Sequence, residues 1–338
     1  MHCESVVDPV MNDTPWVEKY RPSSLQEVRG QEDAIELFQQ MMHHNKPIHF
    51  LFYGPPGTGK TSTILSFCKE LYKGRPREQY MLEINASYDR GIDMVRQKIK
   101  PFCKRSTTPF KYTSSSSCEV NYKFVILDEA DTLTEDAQNA LRRCIEIYSY
   151  NTRFCFLCNY VTNIITPIVS RCYKCHFKPV EYSEALYLMA DICKRENITF
   201  SQDALTIAYK ELKGDLRACL TVLQSTYNMH GEITDAYINK QLSIIDDTIW
   251  TKLIECKGSQ ELLKYVNDIQ MEAFSVQKLL VSLIRWAFNT LSTEQVYKLS
   301  SLVSRIERQL LYQTDNSLLL HELFFTVWSI GISKSEKS

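Results

Sequence analysis

The sequence predicts an α/β domain built on a parallel five-stranded sheet with helices on both faces, followed by two helical regions. From residue 181 onward, apolar residues recur at helical spacing and no strand pattern remains. A chain of 338 residues is long enough for two or three domains. In the first half, short apolar segments typical of buried strands alternate with helix-forming segments, at residues 48–53, 80–85, 122–127, 153–158 and 173–177.

These patterns divide the chain into three regions. Residues 1–178 hold the predicted strands, and residues 179–240 hold amphipathic segments that predict a small helical domain. Residues 241–338 stay helical, and Leu, Ile and Val recur three and four positions apart, so each predicted helix has a wide apolar face. These apolar faces either pack together as the core of one helical bundle or also bind other chains.

Composition limits the class of protein. The hydrophobic fraction is 44%, and no apolar run approaches the roughly 20 residues that span a bilayer. The start, MHCESVVDPVMND, lacks the basic and then apolar segments of a signal peptide. We therefore expect a protein of the cytosol or nucleus with no membrane contact, whose 12 cysteines are reduced thiols.

Charge is unevenly distributed along the chain. Residues 1–178 carry 23 Lys and Arg against 20 Asp and Glu, whereas the remaining residues carry 16 against 20. Residues 90–111 contain seven basic side chains and one acidic one. This run is either a solvated face or a contact for a phosphate backbone.

The stretch IHFLFYGPPGTGKTST, residues 48–63, is the strongest motif. An apolar strand leads into a glycine-rich turn and a helix-forming segment, and Gly54 to Thr61 fits G-x-x-x-x-G-K-[ST]. Backbone N–H groups of such a turn surround phosphates, the lysine reaches the β- and γ-phosphates, and the threonine hydroxyl holds Mg²⁺. We predict a site for the phosphates of a nucleotide and Mg²⁺ formed by Gly54, Pro55, Pro56, Gly57, Thr58, Gly59, Lys60, Thr61 and Ser62.

A second acidic contribution is expected from YKFVILDEAD, residues 122–131. Its continuous apolar run is typical of a buried parallel strand, and Asp128 stands at the carboxyl end, where ligands of open α/β sheets bind. We predict that Asp128 holds Mg²⁺ through water and that Glu129 polarises the attacking water. Two carboxylates favour hydrolysis over binding alone.

Two further polar residues each have two interpretations. Asn159 closes the apolar segment TRFCFLCNY and either hydrogen-bonds the γ-phosphate or its water, or caps the helix that follows. Arg217 lies one turn into the helical segment that begins at KGDLRACL. It is either a site residue or a surface arginine.

The stretch SRCYKCHF, residues 170–177, contains C-x-x-C-H, and a second C-x-x-C is formed by Cys155 and Cys158. Two cofactor sites use such motifs, namely haem attachment and a zinc site with four thiolate ligands. Positions three apart in a strand face opposite sides of the sheet, so packed thiols are the expectation. Arg171 has no acidic neighbour in the sequence, and it is either paired with a distant carboxylate or free to reach another chain's phosphate.

Eight motifs, in this order and spacing, resemble the small subunits of replication factor C, the AAA+ sliding-clamp loaders of eukaryotes and archaea. The likeness is dense from about residue 13 to 240 and thin beyond. LFYGPPGTGKTSTIL and TRFCFLCNYV look most like the fourth vertebrate subunit, and family members in large DNA viruses leave a viral source open. The motifs are PWVEKYRP (15–22), GPPGTGKTS (54–62), NASYDRGID (85–93), ILDEAD (126–131), ALRR (140–143), TRFCFLCN (152–159), SRC (170–172) and GDLR (214–217).

The resemblance implies an AAA+ P-loop ATPase domain in residues 1–178, a lid in 179–240 and an all-α collar in 241–338 that joins five subunits. The expected activity is ATP hydrolysis that opens a sliding clamp and releases it on primer–template DNA during replication. This would occur in the nucleus, or at a cytoplasmic replication site if the chain is viral. The alternatives are an ATP-binding scaffold with little turnover and another AAA+ DNA-remodelling ATPase.

The resemblance also implies roles for single residues. Val17 and Arg21 would line the adenine and ribose pocket, while Asn159 would be sensor 1 and Arg217 sensor 2. Arg171 would be the arginine finger that completes the neighbouring subunit's active site in trans. The residues implied to follow the backbone of primer–template DNA are Arg90, Arg96, Lys98 and Lys100.

Two segments depart from the family's pattern. Ser87, Tyr88 and Asp89 stand where relatives commonly have Asn or Asp followed by an acidic or polar residue, so the loop before Arg90 is expected to differ. The Ser-rich segment 106–121 is expected to be a flexible, solvent-facing insertion.

Overall fold

The five predicted strands form one parallel sheet. The computed structural model describes residues 14–44, 47–106, 110–111, 119–120, 122–272, 274–312 and 316–335. In chain order the strands are β1 (Phe50–Tyr53), β2 (Met81–Asn85), β3 (Phe110–Lys111), β4 (Glu119–Val120), β5 (Lys123–Asp128), β6 (Thr152–Cys158) and β7 (Tyr173–His176). The sheet has the order β2-β5-β6-β1-β7, and β3 pairs with β4 in a separate antiparallel ribbon.

Helices connect the strands and continue after the sheet. Those up to β7 are α1 (Trp16–Lys19), α2 (Glu32–His44), α3 (Lys60–Leu71), α4 (Arg77–Tyr80), α5 (Ile92–Met94), α6 (Lys100–Lys104), α7 (Glu135–Tyr148) and α8 (Thr166–Val169), with a π-helical turn, Val95–Ile99, joining α5 to α6. Short 3₁₀ turns occur at Leu25–Glu27, Ala130–Thr132 and Val161–Asn163. The fold class predicted from the sequence is confirmed.

The sheet is buried on both faces because its strands alternate between two cores. In β1, Phe50 and Phe52 face a core that includes Phe38 of α2 and Phe67 of α3, whereas Leu51 faces the opposite core. The rings of Phe38 and Phe67 stack with centroids 4.2 Å apart. This two-sided burial explains the uninterrupted apolar runs in the sequence.

A buried lysine fixes the helical stretch 92–104 to the sheet. Lys123, at the start of β5, is 0% exposed, and its Nζ donates to the carbonyl oxygens of Phe102 at 2.6 Å and Arg105 at 2.5 Å. Carbonyls at a helix C-terminus are unpaired within the helix and attract a cation, which offsets the burial of this charge. Burial lowers the pKa of Lys123.

The lid has one more helix than the three amphipathic segments of the sequence indicate. Its helices are α9 (Tyr182–Arg195), α10 (Gln202–Glu211), α11 (Leu216–His230) and α12 (Asp235–Gln241). The short α12 was missed because its seven residues contain a single buried position, Ile238. The Asp215 side chain accepts a hydrogen bond from the N–H of Ala218 and caps α11.

The C-terminal helices are α13 (Thr248–Glu255), α14 (Ser259–Met271), α15 (Val276–Thr290), α16 (Thr293–Leu311) and α17 (Asn316–Ser335). Trp250 is the centre of their core: it is 0% exposed, its ring stacks on Phe324 at 5.3 Å, and its Nε1 donates to Ser282 Oγ at 3.0 Å. Ser292 and Gln295 form a capping box that starts α16.

The chain separates into two compact units, one ending at Ile238 and the other beginning at Asn239. Sheet and lid therefore fall in one unit, and the proposed division of that unit at residue 178 stays a prediction.

Most of the Ser-rich segment lies outside the described residues. At its described ends, β3 pairs with β4 and Val120 is buried.

Candidate ATPase site

The phosphate-binding turn follows β1 and has a backbone that only glycine adopts readily. Gly54 has φ of 148° and Gly57 has φ of 69°. A Cβ on Gly54 would lie 2.1 Å from the carbonyl oxygen of Phe177, and one on Gly57 would lie 1.9 Å from Asp215 Oδ1. Both glycines are thus required by conformation and by close approach, and Asp215 of the lid lies directly against the turn.

Lys60 begins α3 and joins the turn to a second strand. Its Nζ donates to the carbonyl oxygens of Gly54 at 2.7 Å and Pro55 at 2.8 Å, and to Asn159 Oδ1 at 3.0 Å. Burial lowers the pKa of Lys60, and the nearby Asp128 carboxylate opposes that effect. The amine therefore lies at the glycine-rich turn with Asn159 beside it, and the predicted contacts of both residues with phosphate stay predictions.

Thr61 and Asp128 lie together, as a shared metal site requires. Thr61 Oγ1 donates to Asp128 Oδ2 at 2.9 Å. A hydroxyl and a carboxylate are hard oxygen ligands of the kind that Mg²⁺ uses beside nucleotide phosphates. The residues present thus fit ATP with Mg²⁺. Ser62 is the next residue of α3, and Thr58 is buried, with its hydroxyl donating to Pro55 at 3.0 Å.

Glu129 follows the end of β5 in a left-handed conformation, with φ of 52°. Non-glycine residues held there are strained, and such strain concentrates at functional sites. Its Oε1 accepts a hydrogen bond from Asn85 Nδ2 at 3.3 Å. Asn85 ends β2, which pairs with β5 so that Asn85 lies opposite Asp128.

Four residues of this site were not predicted from the sequence. Asp131 Oδ2 accepts from the backbone N–H groups of Asn159 at 3.1 Å and Tyr160 at 3.2 Å, which fixes the end of β6. Asn159 is therefore not the cap of the 3₁₀ turn that follows, since Tyr160 takes that position. Asn85 and Asp215 are two more missed residues, described above. Gln31 is the fourth: its Nε2 donates to the carbonyl oxygens of Lys178 at 2.9 Å and Thr58 at 3.3 Å.

The position of Asn85 could have been predicted from the sequence. Asn85 is a polar residue at the carboxyl end of an apolar strand, as Asp128 and Asn159 are. It lies at the site, however, only because β2 is beside β5 in the sheet. Asp131 and Gln31 act through backbone groups, which leave no signal in a sequence pattern.

The predicted base-side residues lie in α1 and directly after it, and the predicted lid residue lies in α11. Val17 is half-buried in α1, and Arg21 pairs with Glu18 at 3.2 Å. Arg217 is exposed in the first turn of α11, two residues after Asp215. The structure thus brings the lid to the turn through Asp215.

Arg171 has a partner that the sequence did not reveal. Its Nη2 donates to Glu146 Oε1 at 2.8 Å and its Nη1 donates to the carbonyl oxygen of Pro167 at 2.8 Å. Arg142 Nε reaches the same Glu146 oxygen at 3.3 Å. Of the two interpretations of Arg171, the structure shows the pair with a distant carboxylate, because α7 brings Glu146 from 25 residues away to the loop that holds Arg171.

The predicted DNA-contacting residues are accessible but paired. Arg96 lies 3.7 Å from Asp93, Lys98 pairs with Asp89, and Arg90 Nε donates to the carbonyl oxygen of Ser87 at 3.3 Å. Lys100 is half-buried. Exposed ion pairs of this kind contribute little to stability, so these cations can exchange partners for phosphates.

The cysteines of the two C-x-x-C motifs lie on both faces of the sheet. Cys155 and Cys175 belong to one core, and Cys158 and Cys172 belong to or pack against the other. Burial raises the pKa of the Cys155 thiol well above its ordinary value. Four thiols separated by a sheet cannot converge on one metal, and among the described residues no group of three or more Cys, His, Asp or Glu is placed to hold one.

The parallel order, the phosphate turn after β1 and the acidic end of β5 define an AAA+ P-loop ATPase. The fold resembles that of the Thermotoga maritima RuvB Holliday junction branch migration motor, with a TM-score of 0.52 and 15% identity, covering 70% of this chain and 80% of that one. At this identity the likeness concerns the fold alone. A family model described as DNA polymerase III, delta subunit, matches residues 30–181.

The chain belongs to the family of replication factor C small subunits. It is 41% identical to replication factor C subunit 2 of Saccharomyces cerevisiae over 271 residues, which cover 77% of each chain. It is 38% identical to subunit 4 of Homo sapiens, covering 93% of this chain and 87% of the relative. Subunit 5 of Mus musculus is 43% identical, over 65% of this chain and 62% of the relative. These similar values establish the family and do not single out the fourth vertebrate subunit.

Proposed function

We propose that this chain is an ATPase subunit of a clamp loader, which uses ATP to open a sliding clamp and to release it on primer–template DNA. Membership of the replication factor C family supports this function. The observation that carries it is the hydrogen-bonded contact of Lys60, Asn159, Thr61 and Asp128 at the carboxyl ends of β1, β5 and β6.

Each residue of this contact has a proposed task. Lys60 exchanges its carbonyl partners for the β- and γ-phosphates, which carry the charge that those carbonyls lack. Thr61 and Asp128 hold Mg²⁺, which neutralises phosphate charge when bound. Asn159 keeps its position beside Lys60 and hydrogen-bonds the γ-phosphate or the attacking water.

Glu129 is the proposed base that orients and polarises water. In the structure its carboxylate is held by Asn85, so catalysis requires Glu129 to face the water when nucleotide is present. Val17 and Arg21 bind the adenine and ribose, and Arg217 binds the phosphates from the lid.

Arg171 is proposed to act in trans. The Arg171 side chain is 37% exposed, and the side chain of its partner, Glu146, is 40% exposed. The γ-phosphate of ATP bound to a neighbouring subunit can therefore compete with Glu146 for the guanidinium. A planar, permanently charged group suits that phosphate. The active site is then shared between two chains.

The proposed partners are four further clamp-loader subunits in a heteropentamer, a sliding clamp, and primer–template DNA contacted through its backbone. The C-terminal unit, which begins at Asn239, has a surface suited to binding other subunits. On its helix α15, Val281, Ile284 and Phe288 form an exposed apolar row, and Phe288 is 71% exposed. Arg90, Arg96, Lys98 and Lys100 are the proposed DNA contacts.

The proposed place of action is the nucleus, where the eukaryotic relatives replicate DNA. Among the described residues, no helix combines the length and apolar character that crossing a bilayer requires. The relatives named above come from Saccharomyces cerevisiae, Mus musculus and Homo sapiens, and they give no support to a viral origin.

The test is ATP turnover by the purified chain alone and by the complex assembled with its partners, with clamp and primed DNA. We expect Glu129→Gln to bind ATP normally and to abolish the share of turnover that belongs to this subunit's site. Glu135→Gln, a nearby exposed carboxylate in α7, is the matched control and should leave turnover unchanged.

The same experiment separates the two alternatives. Unchanged turnover in Glu129→Gln would identify an ATP-binding scaffold. Turnover that responds to branched DNA and ignores the clamp would identify another DNA-remodelling ATPase. The second alternative is not favoured, because the likeness to a branch migration motor is at 15% identity whereas replication factor C relatives reach 43%.

A further inference from the structure

Residues 15–22, here called the N-terminal strap, are held by the lid at one end. Trp16 is 5% exposed, and its ring stacks on Tyr227 of α11 with centroids 6.2 Å apart. The backbone N–H of Trp16 donates to Gln224 Oε1 at 2.9 Å. Both partners lie on one helix, so the start of the strap is docked on the lid.

The middle of the strap is held by a single carboxylate. Lys19 Nζ donates to Glu196 Oε1 at 2.6 Å, and Tyr20 Oη donates to the same oxygen at 2.5 Å. Although burial acts to raise the pKa of Glu196, the hydrogen bonds from Lys19 and Tyr20 outweigh burial and lower it. Glu196 directly follows α9, so this second contact also belongs to the lid.

The end of the strap is attached to the phosphate-binding helix. Ser66 Oγ, in α3, donates to the carbonyl oxygen of Pro22 at 2.8 Å, and Ser66 is 0% exposed. The helix that carries Lys60 at its start therefore also fixes Pro22. Val17 lies between the two lid contacts, and Arg21 lies between the second lid contact and this attachment.

We infer that Glu196 is a positioning residue for the base side of the nucleotide site. By holding Lys19 and Tyr20, it makes the positions of Val17 and Arg21 follow the lid, so selectivity for adenine depends on a lid residue outside the pocket. This inference rests on the proposed function, since it requires a nucleotide in the site.

The strength of the contact is what distinguishes Glu196 from its surroundings. One carboxylate oxygen takes two donors, one of them charged, while the Glu196 side chain is only 19% exposed. The neighbouring ion pair of Arg195 with Asp191 is more exposed, at 63% and 33%, and it joins two residues of α9.

Removing the carboxylate would free part of the strap and leave the rest in place. Trp16 would stay docked on α11, and Pro22 would stay attached to Ser66, because neither contact uses Glu196. The phosphate contacts of Lys60 and Thr61 would be unaffected. The expected result is a loss of base recognition with phosphate binding retained.

The test measures dissociation constants of ATP and GTP, with Mg²⁺, for the full chain by fluorescence titration. We expect Glu196→Ala to weaken ATP binding about tenfold and GTP binding less than twofold, so that the preference for ATP falls. Tyr20→Phe removes one donor at constant shape and should move the preference in the same direction by a smaller factor. Asp191→Ala is the matched control and should leave both constants unchanged.

The outcomes separate positioning from simple support of the fold. Equal weakening of ATP and GTP in Glu196→Ala and in Tyr20→Phe would overturn the inference, and so would unchanged ATP binding. Restoration of most of the preference by Glu196→Gln, which keeps an acceptor oxygen, would support it. A wild-type chain that binds neither nucleotide would overturn the proposed function itself, and this inference with it.

Discussion

The two halves of the candidate ATPase site are held in different ways. At the carboxyl ends of the strands, Lys60, Asn159, Thr61 and Asp128 bond to one another or to the backbone, and Lys60 is only 9% exposed. Arg171 is instead held on the surface by Glu146 and a carbonyl oxygen. The first half assembles when one chain folds, whereas the second half, under the proposed function, meets its target only when a neighbouring subunit is present.

This difference shows where regulation is possible. Buried polar groups must keep their partners, because leaving one unpaired costs about 1–3 kcal/mol. An exposed pair contributes about 0–1 kcal/mol, so Arg171 leaves Glu146 at little cost. If Arg171 acts in trans as proposed, assembly would switch hydrolysis without disturbing the proposed ATP pocket.

Replacing Arg171 tests the surface half and has the largest expected effect. An arginine supplied in trans contributes about 10³-fold or more to phosphoryl transfer, so Arg171→Ala should lower single-turnover hydrolysis at the facing site by about that factor. ATP affinity of this chain should not change. Arg142→Ala, which removes the other cation on Glu146, should change hydrolysis less than about threefold.

The opposite pattern would break the comparison. If Arg171→Ala weakened ATP binding by the isolated chain, Arg171 would belong to the chain's own site. If Arg142→Ala were as damaging as Arg171→Ala, the Glu146 cluster would be structural.

Replacing Lys60 tests the buried half. Each hydrogen bond from a charged donor contributes about 1.5–3 kcal/mol, so Lys60→Ala should weaken ATP binding about 100-fold, measured by fluorescence titration of the chain alone. Because burial lowers the pKa of Lys60, its removal relieves a desolvated amine and should not unfold the chain. Lys69→Ala, an exposed residue of the same helix, is the control, and similar losses in both variants would contradict the assignment.

The sequence predicted the buried half better than the surface half for a physical reason. Residues at the ends of apolar strands must converge in a parallel sheet, so Asp128 and Asn159 could be placed without knowing the strand order. Lys60 and Thr61 came with the local motif. These constraints act over a few residues or through one sheet edge.

The rest depended on tertiary packing. The contact between Asn85 and Glu129 requires β2 beside β5, and the pair of Arg171 with Glu146 requires the path of α7. Gly57 was assigned to phosphate binding, but its contact with Asp215 of the lid follows only from how the lid packs. The fourth lid helix was missed because it is short and has little apolar periodicity.

A histidine at the opposite end of the sheet, away from the candidate site, allows the effect of burial on a polar group to be measured through the pH dependence of stability. His49, just before β1, accepts a hydrogen bond from the Phe154 N–H through Nδ1 at 3.1 Å, and burial with the nearby Arg153 charge lowers its pKa to about 4. The unfolded chain binds a proton near pH 6.5 and the folded chain near pH 4, so stability is lost as pH falls between these values. The loss should reach about 3 kcal/mol.

Chemical denaturation at pH 7 and pH 4.5 checks this expectation. His49→Asn keeps an acceptor and cannot titrate, so its free energy of unfolding should depend less on pH than that of the wild type. Equal pH dependence in both proteins would show that His49 is solvated. Such a result would weaken the contrast between buried and exposed polar groups in this domain.

The smallest effect concerns the metal within the buried half. Thr61 Oγ1 lies 2.9 Å from Asp128 Oδ2, so both oxygens are close enough to bind one Mg²⁺ ion, as proposed. Thr61→Ala removes one ligand and should raise the Mg²⁺ concentration for half-maximal hydrolysis by the assembled complex about tenfold, whereas Thr61→Ser keeps the hydroxyl and should stay near the wild type. If serine fails as alanine does, the methyl group and not the hydroxyl is needed, and the metal assignment of Thr61 is wrong. If both variants behave like the wild type, Asp128 and the phosphates hold the ion without help from α3.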